Sequence, residues 1–221
     1  MPVKLNETRM VKGDFSNQDV AKHYEFMKRL CDLTLSVIGI IVLMPLLGLI
    51  ALAIKVEAPR GRIFYSQIRL GKQQVPFRMF KFRSMVSDAD AQLEKLHAKN
   101  EVTGAMFKMK EDPRITRVGK FLRRYSLDEL PQLLNVILGS MSLVGPRPPL
   151  PRETQKYTTD QLRRLTVKPG CTGLWQATSR NQVGFEEMVL LDLQYIQRRS
   201  LSLDSWILLR TLLVFIRPTG I

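Results

Sequence analysis

Between Leu30 and Ile54 the chain reads LCDLTLSVIGIIVLMPLLGLIALAI, with Asp32 the single charged residue in it. As a helix this run is long enough to cross the roughly 30 Å of hydrocarbon in a bilayer. No other feature limits the fold so strongly, because a soluble core seldom buries a helix this long and this uniformly apolar. Pro45 lies in mid-run, where proline removes a backbone hydrogen bond and bends a helix. Both flanks are basic: Lys28 and Arg29 ahead, then Lys55, Arg60, Arg62, Arg69 and Lys72 behind. Positive flanks prefer the cytoplasmic face. A hairpin that enters and leaves through one leaflet satisfies both flanks, and a straight span satisfies only one. The residues by themselves leave that choice open.

The polar start, Met1 to about residue 25, lacks the apolar core and small-residue cleavage site of a secretory leader. It is expected to be a solvated tail or a surface helix. From about Ala58 the pattern turns globular. Arg62–Ile68 and Pro76–Arg83 read as short strands about a turn at Gly71-Lys72. Residues 87–99 are polar and helix-forming, and 100–113 read as a loop. Helical patterns return at Ile115–Arg124, Leu127–Leu138, Asp160–Leu165 and Phe185–Arg199. Leu201–Ile216 is apolar but interrupted by Asp204 and Arg210, which fits an interfacial helix, or one packed on the domain, better than a span. Cys31 and Cys171 have neither metal-site nor CxxC spacing and are expected to be reduced.

A net charge of +14, from 34 Lys and Arg against 20 Asp and Glu, calls for an anionic partner. Nucleic acid, an anionic lipid surface and a phosphorylated substrate all qualify. Basic residues beside apolar helices favour the lipid surface over nucleic acid.

The densest chemistry is Arg123-Arg124-Tyr125-Ser126-Leu127-Asp128-Glu129-Leu130-Pro131-Gln132, two adjacent acids at a helix start directly after two arginines. Ser126 and Glu129 have capping-box spacing, and first-turn acids complement a helix dipole, so a purely structural role is open. Pro131 fits a helix starting at Asp128 better than one capped at Ser126. Under either start, free amides and a partial positive charge lie beside the acids and suit a phosphate. A carboxylate there could attack phosphorus or hold Mg²⁺. Lys81 and Arg83 alternate at strand spacing and are expected to share one face. Arg147 sits between Pro146 and Pro148, which pre-aim a guanidinium able to grip phosphate bidentately. The turn-rich stretch from Lys168 through Trp175 and Gln176 to Arg180 and Asn181 is a candidate nucleotide pocket.

Taken in order, these pieces resemble the bacterial sugar transferase family, the monotopic phosphoglycosyl transferases that act on polyprenol phosphate. The resemblance rests on Lys28-Arg29 ahead of Asp32, Pro45, Gln67 with Arg69 and Gly71, and Lys81-Phe82-Arg83-Ser84-Met85. It continues through Asp112-Pro113-Arg114-Ile115-Thr116, Ser126 to Gln132, Gly145-Pro146-Arg147-Pro148 and Pro169-Gly170-Cys171-Thr172-Gly173, covering about residues 26–217.

It implies a mostly helical α/β, membrane-associated protein. Residues 1–27 would form a polar tail and 28–57 a re-entrant membrane helix broken at Pro45. Residues 58–221 would form a compact cytoplasmic catalytic domain with short strands and amphipathic interfacial helices, one of them at 201–216. It further implies a UDP-sugar donor, a polyprenol (undecaprenyl) phosphate acceptor and Asp128 as nucleophile, with UMP released and a phosphosugar left on the enzyme. Glu129 would assist through Mg²⁺ held with Asp128, and Lys81, Arg83, Arg123 and Arg147 would bind phosphate. The expected setting is the bacterial inner membrane at the first membrane step of exopolysaccharide, capsule or O-antigen assembly. Nucleic acid is not an expected partner, and the oligomeric state, a homodimer included, is open. Larger members carry further spanning helices and a soluble domain upstream, so this sequence reads as a minimal catalytic unit or part of a longer chain. The competing class, a membrane-anchored binding protein, explains neither the acid pair beside arginines nor the arginine between prolines.

Overall fold

A computed structural model of the chain describes residues 16–86, 88–89, 91–92, 109, 111–179 and 183–216. The helix and loop expected over 87–113 fall mostly outside them. The first helix, α1, runs from Ser16 to Glu57 over 42 residues, about 63 Å at 1.5 Å per residue. It begins well before the apolar run, so the polar residues from Ser16 onward are the first turns of that same helix. Helical backbone continues on both sides of Pro45. The segment is therefore one helix containing a proline and not two helices joined by a loop. By length and composition it could cross a membrane, which makes membrane association plausible.

The rest of the molecule packs along α1. Strands β1 (Phe64–Leu70) and β2 (Pro76–Phe82) pair antiparallel, from Phe64 opposite Phe82 to Leu70 opposite Pro76. They are joined by a tight 3-10 turn, Lys72–Gln74. Helix α2 (Arg117–Arg124) follows, capped by Thr116, whose hydroxyl accepts from the Gly119 N–H at 2.9 Å. A 3-10 turn at Leu127–Glu129 leads into the short α3 (Gln132–Ile137). The prolines and glycines of 145–148 and 169–173 then fold a second, parallel pair, β3 (Ser142–Val144) and β4 (Gly170–Thr172). Its backbones meet closely: a Cβ on Gly170 would lie 2.1 Å from the Gly145 nitrogen. Helices α4 (Pro151–Thr154), α5 (Thr159–Leu162), α6 (Leu174–Thr178), α7 (Phe185–Arg198) and α8 (Leu201–Ile216) complete the described chain.

Two apolar cores hold these parts. Met79, Val136, Met141, Val144, Tyr195 and Ile207 join β2, α3, β3, α7 and α8. Ile50 and Ile54 of α1 pack with Phe82 and Leu122 in the second, each such buried side chain contributing about 1.5–3 kcal/mol. At its other end α1 is fastened by polar groups. Arg29 donates to the carbonyls of Val136 and Ile137, the last turn of α3, at 2.5 and 2.9 Å. Asp32 accepts from the Leu143 N–H at 3.1 Å. Tyr24 and Lys28 both donate to Asp204 Oδ2, at 2.9 and 2.8 Å, and Tyr195 to Oδ1 at 2.7 Å. Asp204, which breaks the apolar pattern of α8, is thus buried and ties that helix to α1. The outer faces of both helices stay bare: Val42 is 70% exposed, and Ile41, Leu52, Leu209 and Leu212 are similarly open.

Candidate active site

Asp128 and Glu129 do not open an α-helix. They lie on the 3-10 turn ahead of α3, and Pro131 is the N-cap of that helix, where its missing N–H costs nothing. The capping box that the spacing suggested does not form. Ser126 adopts a left-handed conformation, φ 53°, and makes no side-chain cap bond. Glu129 is instead taken by Lys81 of β2, Nζ to Oε1 at 2.6 Å, with Asp128 Oδ2 4.0 Å from the same ammonium. The acids are thereby released from a capping role and set against a cation.

Asn135 is the clasp that makes this meeting possible. Its buried amide accepts from the Phe80 N–H at 2.9 Å and donates to the Arg78 carbonyl at 2.7 Å. It pairs with the free edge of β2 as a third strand would, fixing α3 beside the strand that carries Lys81.

Arg123 reaches the site from α2. That helix lies so close to Ser84 that a Cβ on Gly119 would stand 2.0 Å from the Ser84 carbonyl oxygen. Arg123 Nε donates to Ser84 Oγ at 2.9 Å. Arg147 projects from the loop after β3, and among the described residues no side chain pairs with its guanidinium. Its backbone is fixed from two sides: Arg164 donates to the Arg147 carbonyl and Arg69 to the Pro148 carbonyl. Arg164 is itself locked by Asp192 at 2.6 Å in a fully buried ion pair.

The charges act on the acids unequally. Asp128, 6% exposed, is raised above the ordinary carboxylate range, by burial first and by its neighbour Glu129 as well, with Lys81 and Arg123 working against the rise. Burial opposes ionisation of Glu129 too. The charge and hydrogen bond of Lys81, joined by Arg147 and Arg69, outweigh it and hold Glu129 below the ordinary range. The two neighbouring acids are thus driven in opposite directions, Asp128 towards keeping its proton and Glu129 towards losing it.

Of the residues singled out from sequence, Asp128, Glu129 and Lys81 meet directly, and Arg123 and Arg147 bear on the same pair through their charges. Arg83 packs its guanidinium over Gly61 in the turn between α1 and β1. Gln176 is on α6 with its amide oxygen buried and unbonded, and among the described residues no hydrogen bond joins it to the acid pair. Arg180 and Asn181 lie outside the described residues. The Asp112-Pro113-Arg114 motif proves to be a brace: Arg114 folds back on both Asp112 oxygens, Nη2 to Oδ2 at 2.6 Å, and its backbone carbonyl accepts from the Val86 N–H. Sequence reasoning passed over Arg69, Asn135 and the Arg164–Asp192 pair as site residues. Gln67 and Arg69, alternating on a strand, were the one local signal among them.

An α/β domain lies along a bare apolar helix, with a buried acid, a lysine-paired acid and converging arginines suited to phosphate. The fold and site together set one helix long and apolar enough to cross a membrane beside an acid pair ringed by basic side chains. Residues 23–218 match the bacterial sugar transferase family, and the chain belongs to it. It is 45% identical to the galactosyl transferase CpsE of Streptococcus agalactiae serotype III, over 87% of this chain and 43% of that protein. It is 42% identical to the undecaprenyl-phosphate galactose phosphotransferase of Salmonella typhimurium, over 88% of this chain and 41% of the relative. The exopolysaccharide production protein ExoY of Sinorhizobium fredii is 39% identical over 84% of this chain and 83% of its own length. The chain thus spans less than half of the first two relatives and most of the third.

Proposed function

We propose that the chain transfers a sugar 1-phosphate from a UDP-sugar to undecaprenyl phosphate, with Asp128 as nucleophile. The observation that carries this is the pairing of a buried, raised Asp128 with a Glu129 already neutralised by Lys81. An Asp128 carboxylate oxygen attacks the β-phosphorus of the donor. The new O–P bond forms as the bond to the bridging oxygen breaks, and UMP leaves with that oxygen. An oxygen of the lipid phosphate then attacks the same phosphorus and returns Asp128 as a free carboxylate, giving a lipid diphosphosugar. The sugar's own C–O bond is never broken. Lys81, Arg123 and Arg147 neutralise the phosphate oxygens, the main requirement of such transfers.

Mg²⁺ fits this donor set. Asp128 and Glu129 offer adjoining carboxylate oxygens, one of them on Lys81, and no third His, Cys, Asp or Glu joins them among the described residues. An ion held there would take its other ligands from water and substrate phosphate. When bound it would supply further neutralisation of phosphate charge.

We also read α1 as entering and leaving through one leaflet, with the domain on the cytoplasmic side of the bacterial inner membrane. The support is that both ends of α1 pack on one domain. Arg29 and Ile54 are about 38 Å apart along the helix axis, more than the roughly 30 Å hydrocarbon core. A straight span would drag the domain's charges into the hydrocarbon.

The test is UMP release from UDP-sugars, UDP-galactose first because two of the relatives are named for galactose, in the wild type and in Asp128→Asn. Loss of release in the variant, and a phosphosugar trapped on the Asp128 peptide of the wild type by mass spectrometry, are the expected results. Wild-type turnover in Asp128→Asn ends the covalent reading.

A further inference from the structure

Arg69 is 7% exposed at the end of β1. Its guanidinium is committed almost entirely to uncharged oxygens. Nε and Nη2 donate to the Gln67 amide oxygen at 3.1 and 2.8 Å, and Nη1 donates to the Pro148 carbonyl at 3.0 Å. No carboxylate among the described residues lies within ion-pair distance of it, and burial together with the like charge of Arg147 lowers it to about 10. Glu153 and Glu129 act on it only from beyond ion-pair distance. A buried cation without a direct ion-pair partner is expensive, so a chain that keeps one is using its geometry, its charge or both.

The geometry leads to Arg147. The next residue, Leu70, donates its N–H to the Pro149 carbonyl at 3.0 Å. Two successive carbonyls after Arg147 are therefore fastened to β1, one by backbone and one by guanidinium. On the other side of Arg147, the Pro146 carbonyl accepts from the Gly170 N–H at 2.9 Å and Arg164 donates to the Arg147 carbonyl at 3.4 Å, so β4 fixes the residue before Arg147 and β1 the two residues after it. Gln67, two residues earlier and on the same strand face, keeps the Arg69 fork in its plane.

We propose that Arg69 is a positioning residue for Arg147, aiming its guanidinium at the diphosphate of the nucleotide sugar. This deepens the transferase reading and rests on it. A lysine at 69 would keep the charge but could not hold the Gln67 oxygen and the Pro148 carbonyl together. Positioning and charge are therefore separable by substitution.

The experiment uses the full chain in detergent, with UDP as the probe in titration calorimetry and UMP release for kinetics. Arg69→Lys and Arg69→Gln should each weaken UDP binding roughly tenfold, the effect of removing one charge-assisted hydrogen bond to phosphate. KM for the UDP-sugar should rise in step, and kcat should fall as well, by no more than it does in Arg147→Ala, since Arg147 also neutralises the reacting phosphate. Placed on Arg147→Ala, neither change should weaken UDP binding further. Wild-type affinity in Arg69→Lys would mean that Arg69 acts by charge alone, and additive losses on Arg147→Ala would mean that the two arginines act separately; either overturns the inference. Should both Arg69 variants fail to fold, Gln67→Met decides. Weaker UDP binding at unchanged melting temperature supports the role, and unchanged binding overturns it. A wild type that binds no UDP sinks the transferase reading and this inference together, whereas wild-type binding with indifferent variants sinks this inference alone.

Discussion

Replacing Lys81 with methionine keeps most of the length and the apolar stem of the side chain and removes the ammonium. That ammonium is 2.6 Å from Glu129 and 4.0 Å from Asp128. Two unit charges 4 Å apart interact by about 1 kcal/mol in water and about 4 kcal/mol at an effective dielectric near 20. The Lys81 side chain is 21% exposed, so screening keeps the figure towards the lower end, about 1–2 kcal/mol. Asp128 already stands above its ordinary range, with Lys81 opposing the rise, so losing Lys81 moves it further up. A nucleophile acts as the carboxylate. The acid limb of kcat/KM for UMP release should therefore shift to higher pH, on top of a rate loss of roughly 10²–10³ for one missing charge stabiliser.

Stability should follow the same sign. A carboxylate whose folded pKa lies above its unfolded value, about 4, contributes stability that is complete below that value. The contribution is lost as pH rises through the folded pKa. Against the wild type, the melting temperature of Lys81→Met should fall least at acid pH, where Asp128 keeps its proton in both proteins, and most at alkaline pH, where the wild-type Asp128 carboxylate still has the ammonium beside it and the variant's has none. UMP release followed from acid to alkaline pH in both proteins, with thermal melts in the same buffers, checks both statements. A uniform drop in rate with the acid limb at the wild-type position would refute the account, because Lys81 would then touch substrate without tuning Asp128.

Asn135→Leu removes the clasp and leaves the Phe80 N–H and Arg78 carbonyl without it; at about 1–3 kcal/mol for buried groups so stranded, the melting temperature should drop by roughly 3–10 °C, and an unchanged melt would mean that the clasp is dispensable. Gly119→Ala must push α2 away from Ser84, since its Cβ would meet the Ser84 oxygen at 2.0 Å. Arg123 should lose its hold on Ser84, and UMP release should fall at least tenfold, the cost of misplacing one charge stabiliser by about an ångström. For topology, a single cysteine at Ser16 in a Cys31→Ser, Cys171→Ser background should resist an impermeant maleimide in intact cells and react once the inner membrane is opened; labelling in intact cells means that α1 spans.

Much of the fold was legible in the sequence because it is local. The apolar run, the β1–β2 alternation and the helical periods over Phe185–Arg199 and Leu201–Ile216 depend on neighbours a few residues away, where side-chain spacing and backbone geometry are coupled directly. Arg147 between two prolines and the acid pair before Pro131 were legible for the same reason. What those acids do was not. Ser126 and Glu129 have the spacing of a cap, yet tertiary packing turns Ser126 left-handed and hands Glu129 to Lys81, 48 residues away. Asp204 interrupts an apolar helix for no local reason, and only the folded chain supplies one by bonding it to Tyr24 and Lys28, 180 and 176 positions earlier. Asn135 closing the edge of β2, and Arg69 holding the loop of Arg147, belong to the same kind. A polar side chain in sequence carries only its capacity to bond. Burial decides which partner it must find, because an unpaired buried group costs more than almost any rearrangement that satisfies it.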